Sequence, residues 1–242
     1  MSAIPMTGDE RARLAAVLGR ITWHTLSGGQ AHFAAGTATA RRYASGFSPI
    51  LGFADPQQPD LDALRPFCAP GEHFYTDGWS GPVPAGWLLE AESTMFKMVW
   101  EGGTPAPDDE SFARPLGAAD VDAAVALATL TKPGPFGPRT IELGEYLGVF
   151  DGGRLLAMAG ERMVAPPLHE ISGVCTHPDA QGRGHARRLM LALVRHQLAR
   201  GEIPFLHVMR DNAGARGLYE RMGFRAWAES VVRVVAPAGP HP

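Results

Sequence analysis

The amino-acid sequence predicts a mixed α/β fold, because patterns typical of strands and of helices alternate along its second half. The clearest strand pattern is the apolar, β-branched run from Glu170 to Thr176, which ends at a His-Pro turn. After a glycine-rich turn, apolar residues recur at helical spacing until Gly201 supplies a stop. An amphipathic helix pattern over 120–130 precedes two strand-like runs joined by the turn at 151–153. These observations predict helices packed against a sheet.

In the first part of the chain, the residue pattern predicts one capped helix followed by short strands. Thr7 and Glu10 form a capping-box signature ahead of apolar residues at helical spacing. The following segment is rich in Gly, Thr, Ser and aromatic residues with patchy alternation, which favours strands. The expected elements, in chain order, are a helix over 8–18, strands near 20–25, 30–36 and 48–54, a short helix over 61–67, and strands over 73–76 and 93–100.

The second part predicts a regular succession of helices and strands. Its amphipathic helix over 120–130 ends at Lys132-Pro133, because proline cannot continue a helix. The Pro- and Gly-rich run that continues to Pro138 is either an exposed loop bordering a substrate cleft or a plain connector. The remaining expected elements are hairpin strands over 146–150 and 154–163, the 170–176 strand and its helix, a strand over 205–208, a helix over 212–222 capped by Gly223, and a final strand over 224–235.

A domain boundary is predicted near residue 110. Residues 102–110 are rich in Pro, Gly and acidic residues and lack apolar periodicity, which is typical of a linker. The prediction is an α/β region over 1–110, a second domain over 111–236, and a Pro-rich tail over 237–242 that is expected to be disordered. Both parts begin with a helix followed by strands, so we interpret the first as a degenerate copy of the second, although no repeated motif links them.

Composition and charge restrict the class of protein. The chain has 242 residues, of which 45% are hydrophobic, so it can bury a sizeable core. No run approaches the ~18 apolar residues of a membrane span, and the formal net charge of -3 argues against a nucleic-acid or anionic-membrane partner. The two cysteines, Cys68 and Cys175, are far apart and no signal-peptide pattern is present, so a cytoplasmic location is expected. Cys175 lies in a buried strand pattern and is expected to be a small hydrophobe rather than a nucleophile.

The turn between the 170–176 strand and its helix has the composition of an anion-binding site. Gly182 and Gly184 let the main chain approach a ligand, and the first turn of a helix has unpaired N–H groups. A bound phosphate or pyrophosphate is one interpretation, and a plain chain reversal is the other. The arginines expected near such an anion are Arg183, Arg187 and Arg188.

Two common phosphate-binding motifs do not fit this turn. The Walker pattern needs Lys followed by Ser or Thr, where this helix opens with His185-Ala186-Arg187. The dinucleotide pattern GxGxxG needs a third glycine at the position of Arg187. The pattern that remains is Gln181-x-x-Gly184-x-Ala186.

This remaining pattern, placed between a strand and a helix, resembles the acyl-CoA pyrophosphate loop of the GNAT N-acetyltransferase superfamily. The segment from Asn212 to Phe224, which ends in Leu-Tyr-x-x-x-Gly-Phe, is similar to the downstream segment of that superfamily. The two motifs occur in the family's order with one strand between them, and the resemblance covers about residues 112–235. It implies a GNAT-type mixed sheet flanked by helices in the C-terminal half, and acetyl-CoA as co-substrate.

The resemblance also implies how acetyl-CoA is held. Its pyrophosphate would bind backbone N–H groups of the turn. Its pantetheine arm would bind main-chain groups of the strand, and a bulge at Gly173 would free those groups from strand pairing. Asn212 is expected to cap the next helix and to contact the cofactor arm. The predicted cofactor-binding residues are Val174, Cys175, Thr176, Gln181, Gly182, Arg183, Gly184, His185, Ala186, Arg187 and Asn212.

Acyl transfer to an amine needs an acid for the leaving thiolate and a way to deprotonate the amine. The resemblance assigns the acid to Tyr219, since a phenol can protonate a thiolate; packing with Leu218 and Met222 is the alternative. Glu170 is the first candidate for the base, because some members of the superfamily carry a catalytic Glu at the start of this strand; a solvated carboxylate is the alternative. The other candidates are Glu161, Glu142, His169 and water.

The predicted function is an acetyl-CoA-dependent N-acetyltransferase acting on a primary amine of a small molecule, an amino acid or a peptide. A catalytically silent acyl-CoA-binding regulatory or scaffold module is the alternative, since it needs the glycine turn but not Tyr219. A ligand-free structural domain would make both motifs coincidences. No metal site is predicted, because His169, His177, His185 and His207 lack metal-binding spacing and are expected at solvated or loop positions. The sequence leaves the acceptor and the oligomeric state open, with a homodimer as one option.

Overall fold

The computed structural model describes residues 7–238. Its helices are α1 (Gly8–Gly19), α2 (Ile21–Ser27), α3 (Val121–Thr131), α4 (His185–Ala199) and α5 (Ala213–Met222). Its strands are β1 (Ala34–Gly36), β2 (Ala40–Tyr43), β3 (Leu51–Phe53), β4 (Phe74–Asp77), β5 (Trp87–Trp100), β6 (Arg114–Pro115), β7 (Tyr146–Asp151), β8 (Arg154–Ala165), β9 (Leu168–Thr176), β10 (Ile203–Met209) and β11 (Phe224–Pro237). Short 3₁₀ turns connect several of these elements.

One large mixed sheet contains strands from both parts of the chain. Its eight strands are hydrogen-bonded in the order β4-β11-β5-β10-β9-β8-β7-β6. Within it, β9 and β10 pair in parallel and the other neighbours are antiparallel. A parallel pair needs a crossover connection, and α4 supplies it. The short strands β1, β2 and β3 form a separate antiparallel sheet. The mixed α/β fold class predicted from the sequence is therefore confirmed.

Helices cover both faces of the sheet around β8. Residues 155–163 of this strand are buried without a break, which is typical of a strand with both faces covered. Ala157 and Ala159 belong to the apolar cluster that contains α4, and Met158 belongs to the one that contains α3. Because successive side chains of a strand point to opposite faces, these two helices lie on opposite sides of the sheet.

The N-terminal elements pack against the same sheet. α1 has the predicted capping box: the Glu10 N–H group donates to the Thr7 hydroxyl at 3.2 Å, and the Thr7 N–H group donates to the Glu10 carboxylate at 2.8 Å. α2 packs on β8 and contributes buried side chains to a second apolar cluster. No helix within residues 7–238 has both the length and the apolar character needed to cross a bilayer.

The expected strand at 20–25 is wrong, because this segment forms α2. Ile21, Thr22, Thr25 and Leu26 are its buried residues, and they repeat at a spacing that places them on one side of a helix. Tertiary burial of this face has overridden the preference of Ile and Thr for strands. The expected strands near 30–36 and 48–54 are present only as the three-residue β1 and β3.

Strands from both sides of the predicted boundary at residue 110 share the large sheet. β5 precedes the boundary and lies between β10 and β11, which follow it. The linker-like segment itself is held on α4, where Arg188 contacts Asp108 at 3.0 Å and Arg195 contacts Glu110 at 2.5 Å. The division into two domains stays a prediction. The expected tail begins at Pro237, which is the last residue of β11, and residues 239–242 lie outside the described part.

Candidate functional site

The candidate site lies where β9 and β10 separate. Their parallel pairing runs from Leu168 opposite Ile203 to Glu170 opposite Phe205, and both strands continue beyond that point without pairing to each other. On its other side, β9 pairs with β8 through a bulge, in which Gly173 and Val174 together face one residue of β8. The predicted bulge at Gly173 is confirmed. Main-chain groups on the β10 side of β9 are thus available to a ligand.

Gly173 is required at this bulge for two reasons. Its φ of +62° lies in the left-handed region that β-branched and bulky residues avoid. A Cβ atom at this position would stand 3.0 Å from the ring of Tyr146, closer than side chains normally pack. Only glycine meets both conditions, because it adopts this φ without strain and has no Cβ atom to contact the buried ring.

A cavity of about 430 Å³ opens at the split. The two separated strands form one wall, through residues 171–174 and 206–209, and α5 forms another. The loop over 132–135 borders the cavity, which fits the first of the two interpretations of this Pro- and Gly-rich run. The first part of the chain closes the far side through Thr22, Ile50 and residues 75–77. The site is thus built from both parts of the chain.

The turn before α4 is open at the helix N-terminus. Gly182 and Gly184 have φ values of +75° and +80°, and a Cβ atom at either would meet nothing within 4 Å. Gly184 is the N-cap residue, no side chain caps the helix, and its first turn has no acidic residue. The first N–H groups of α4 therefore face solvent beside a positive helix end, which suits the pyrophosphate of acetyl-CoA.

The arginines near this turn have different partners. Arg183 donates to the carbonyl of Asp179 at 3.1 Å and remains exposed, and Arg187 is exposed as well. Arg188 was expected near the anion, but it is bound to Asp108 and stacks on the ring of Phe112 at 3.8 Å. The cationic side chains left for a bound anion are those of Arg183 and Arg187.

α5 places Asn212 and Tyr219 on the cavity wall. The Asn212 side-chain oxygen accepts from the Ala215 N–H group at 3.1 Å, as expected for an N-cap. Tyr219 is 8% exposed and packs edge-on against Phe224. Burial raises the pKa of Tyr219 to about 12, so the phenol keeps its proton throughout the neutral range. It can donate a hydrogen bond into the cavity.

Glu170 lies beneath the cavity wall rather than on it. Its carboxylate accepts two hydrogen bonds from Arg162, at 2.9 and 2.7 Å, and is 2.7 Å from Nδ1 of His207. Burial disfavours the charged carboxylate, but the Arg162 guanidinium and His207 hold the pKa of Glu170 well below its usual range. A carboxylate that is so stabilised is a weak base, so the structure changes the role expected for Glu170.

The other candidate bases are held in ion pairs and do not line the cavity. Glu142 pairs with Arg139 at the surface. Glu161 and His169 belong to a buried cluster with Glu202, in which three ligand-type atoms lie within 4.8 Å of one another. Arg200 bonds to both carboxylates of that cluster and supplies a cation from the protein itself. Arg200 thus occupies the position of a cation between the two carboxylates of this cluster.

Cys175 is buried in β9, as expected. Burial raises the pKa of its thiol to about 11, so the thiolate is scarce at neutral pH. Its main-chain groups belong to the bulged strand, and its side chain packs in the cluster beside α3. The site residue that sequence reasoning missed is His207, which it grouped with solvated or loop histidines. Its position inside the apolar run of β10 was the available signal.

Comparison with known proteins gives one family match and several relatives. The FR47-like protein family matches residues 146–234. A crystal structure from Novosphingobium aromaticivorans, assigned to the GNAT family of acetyltransferases, is 34% identical, covers 92% of this chain and 99% of its own, and superimposes with a TM-score of 0.84. A GCN5-related N-acetyltransferase from Kribbella flavida shares the fold at 16% identity, with 96% of each chain covered and a TM-score of 0.59.

Curated relatives match shorter segments. The N-alpha-acetyltransferase RimI of Mycobacterium tuberculosis is 37% identical over 83 residues, which are 33% of this chain and 51% of that protein. The mycothiol acetyltransferase of Kocuria rhizophila is 37% identical over 70 residues, which are 28% of this chain and 23% of that protein. The chain thus spans about half, or less, of the curated relatives that it matches.

Proposed function

The chain belongs to the GNAT family of acetyltransferases, and from this premise we propose that it transfers the acetyl group of acetyl-CoA to a primary amine. The family relationship rests on 34% identity to a GNAT-family protein across 99% of that protein's chain. The residues around the cavity support the rest of the proposal. Together with the turn before α4, they offer candidate groups for the parts of the co-substrate and a candidate proton donor.

The observation that carries the proposal is that β9, which is bulged and separates from β10, leads through a turn into a helix whose N-terminus has no side-chain cap. Val174 lies in the bulge and Cys175 and Thr176 follow it; all three are proposed to offer main-chain groups to the pantetheine arm. The turn from Gln181 to Arg187 offers N–H groups and the positive end of α4 to the pyrophosphate. Asn212 lines the same cavity. The bulge lies within β9 and the helix N-terminus follows the same strand along the chain, so one strand-turn-helix unit offers groups to both parts of an extended, phosphate-bearing thioester.

Tyr219 is the proposed acid for the leaving thiolate. Its raised pKa keeps the phenol neutral, so it can stabilise the sulfur through a hydrogen bond as negative charge develops there. Proton donation to a thiolate is less favourable from a buried phenol than from a free one. The hydrogen bond in the transition state is therefore the larger part of its role.

The acceptor is proposed to be the amine of a small molecule, an amino acid or a peptide that enters from the side of the first part of the chain. Thr22 of α2, Ile50 and Tyr75 of β4 line that side, together with apolar residues of β5 and β11. We place the protein in the cytoplasm, where acetyl-CoA is available. The unpaired Cys68 and Cys175 are consistent with a reducing compartment.

Calorimetric titration with acetyl-CoA tests the co-substrate site. Gly184→Pro should abolish binding, because proline cannot adopt the φ of +80° that the turn requires. Gly201→Pro is the matched control, since Gly201 follows the other end of α4 with a φ of +74° and open space around it. Failure of the folded wild type to bind acetyl-CoA would contradict the proposal.

A panel of amines tests the transfer itself. The wild type is incubated with acetyl-CoA and each of an alanine-initiated peptide, free amino acids, an arylalkylamine and an amino sugar, and thiol release is followed with a chromogenic disulfide. Tyr219→Phe should bind acetyl-CoA normally and lower kcat by about 100-fold, the usual scale for a general acid. Tyr146→Phe removes a buried hydroxyl that does not line the cavity, and it should leave kcat unchanged.

A further inference from the structure

His207 presents an unused nitrogen at the cavity wall. Its side chain is 10% exposed, it lines the cavity, and its Nδ1 atom is 2.7 Å from the Glu170 carboxylate. Within the described residues, its Nε2 atom is buried and has no hydrogen-bond partner. Buried polar atoms are nearly always hydrogen-bonded, so an unpartnered ring nitrogen at a cavity needs an explanation.

The partners of His207 determine which nitrogen carries the proton. Glu170 is ionised and fully engaged, since two bonds from Arg162 hold its carboxylate. An ionised carboxylate accepts hydrogen bonds and cannot donate them, so Nδ1 must carry a hydrogen. In the neutral imidazole, Nε2 then has the free lone pair. The chain Arg162, Glu170, His207 therefore leaves the proton-accepting nitrogen on a side chain that lines the cavity.

Four charged groups surround this imidazole. Glu170 on β9 bonds to it directly, and Arg162 on β8 lies behind Glu170. Lys97 on β5 is opposite His207 in the antiparallel register. Asp77 on β4 pairs with the Lys97 ammonium group at 2.5 Å, and Asp77 and His207 both line the cavity. Two of these groups are positively charged and two are negatively charged.

From this geometry we propose that Nε2 of His207 is the atom that takes the proton from the acceptor amine, and that Glu170 and Arg162 are positioning residues that fix its tautomer and ring orientation. The inference rests on the proposed acetyl transfer and adds the base that this reaction requires at neutral pH. An amine that enters as an ammonium cannot attack until it has lost a proton.

The proposed step balances. The lone pair of Nε2 takes one proton from the ammonium, which leaves a neutral amine and an imidazolium. The amine lone pair forms the C–N bond at the thioester carbonyl, the C–S bond breaks, and the sulfur keeps that electron pair. The sulfur receives a proton from Tyr219, and the phenol regains one from the new amide nitrogen. His207 finally returns its proton to solvent, so one proton is released for each amide and free thiol formed.

His169 provides a matched control in the same sheet. Its Nδ1 atom is 2.9 Å from Glu202, its side chain is 10% exposed, and its Nε2 atom also has no hydrogen-bond partner within the described residues. It differs from His207 in two ways: it does not line the cavity, and its Nε2 atom is 3.7 Å from the Glu161 carboxylate. Replacing each histidine by Asn retains an N–H donor near the Nδ1 position and removes the Nε2 lone pair.

The test compares kinetics of the wild type, His207→Asn and His169→Asn with acetyl-CoA and the amine that releases thiol fastest in the panel. For His207→Asn we expect a loss of about 100-fold in kcat, with KM for acetyl-CoA changed by less than about threefold. The pH profile of kcat/KM should lose the ionisation that the wild type shows. His169→Asn should retain both kcat and the profile.

Each outcome decides between the two proposals. A His207→Asn variant with wild-type kcat and an unchanged pH profile would overturn the role of His207 and leave the acetyl transfer standing. A wild type that binds acetyl-CoA but acetylates no amine in the panel would overturn both. Nitrogen NMR of the wild type gives a readout that needs no variant to fold. A hydrogen on Nδ1 in the neutral form is expected, and the opposite tautomer would overturn the proposal.

Discussion

At the residue scale, Gly173 links the shape of the strand to ligand binding. Its φ of +62° is costly for other residues, and a Cβ atom would press on the Tyr146 ring at 3.0 Å. Gly152 has a φ of +53° with nothing within 4 Å, so it shares the backbone strain without the contact. The two glycines therefore separate the cost of a left-handed conformation from the cost of crowding the bulge.

Gly173→Ala should lower both stability and affinity for acetyl-CoA. Backbone strain of this kind costs about 1–3 kcal/mol, and relief of the contact with Tyr146 requires the bulged strand to move. Gly152→Ala should lose stability by strain alone and retain the affinity of the wild type. Thermal unfolding and acetyl-CoA calorimetry on both variants check this. Equal affinities in the two variants would show that the bulge does not position the ligand.

The positions of candidate site residues were predictable from the sequence where the motif is local. The turn with Gly184 and the helix with Tyr219 each lie within a few consecutive residues, so their geometry follows from short-range spacing. The pairing of His207 with Glu170 joins residues 37 positions apart on two strands. That pairing depends on the register between β9 and β10, which alternation alone cannot specify.

At the element scale, α4 is attached to the linker-like segment through His196. Its Nε2 atom is 3.0 Å from Glu110, and its Nδ1 atom is 2.8 Å from Glu145. Burial opposes the charged imidazole, but the two carboxylates together raise the pKa of His196 above its usual 6.5. Both ring nitrogens can donate only in the imidazolium, so this bridge is complete when His196 is protonated.

Stability should therefore fall as the pH rises through the raised pKa of His196. The folded protein binds this proton more tightly than the unfolded chain, so the contribution is fully present below about pH 6.5 and is lost above the folded-state value. Urea unfolding of the wild type and His196→Gln at several pH values measures it. The difference between the two proteins should shrink as the pH rises, and a difference that is constant with pH would contradict the prediction.

Elements were predictable where the period of apolar residues was clear. The helices α1, α3, α4 and α5 match their expected ranges within a few residues. The segment that forms α2 contains Ile and Thr at neighbouring positions, which local preference assigns to a strand. Its helical form depends on packing against β8, a contact between distant parts of the chain. Local propensity cannot anticipate such a contact.

At the scale of the whole molecule, the two parts of the chain are joined in one sheet. The sequence indicated a linker at 102–110 because that segment lacks periodicity, but it gave no sign that β5 lies between two strands from the other side. Insertion of a strand into the middle of a sheet is a long-range event without a local signature. The proposed acceptor side of the cavity depends on it, since β4 and β5 both line the cavity.

Lys97 on β5 joins elements of the N-terminal part through buried polar contacts. Its side chain is 1% exposed, and its ammonium group donates to the Leu18 carbonyl of α1 at 2.9 Å and is 2.5 Å from the Asp77 carboxylate of β4. Burial alone would raise the pKa of Asp77, but the Lys97 ammonium holds it below its usual range. One buried cation on β5 thus contacts both β4 and α1.

Lys97→Met should lower the free energy of unfolding by about 3–5 kcal/mol, because it leaves the buried Asp77 carboxylate without its cation. The double variant Lys97→Met with Asp77→Asn should recover part of that loss, since no unpaired charge then remains. Arg210→Met is the surface control: Arg210 pairs with Glu229 at 64% exposure of its side chain, and such pairs contribute about 1 kcal/mol or less. Urea unfolding of the four proteins, followed by tryptophan fluorescence, measures the difference. If the two parts of the chain fold as one unit, Lys97→Met shifts a single unfolding transition to lower urea concentration. A second transition with a midpoint that Lys97→Met does not change would mean that the two parts unfold independently despite their shared sheet.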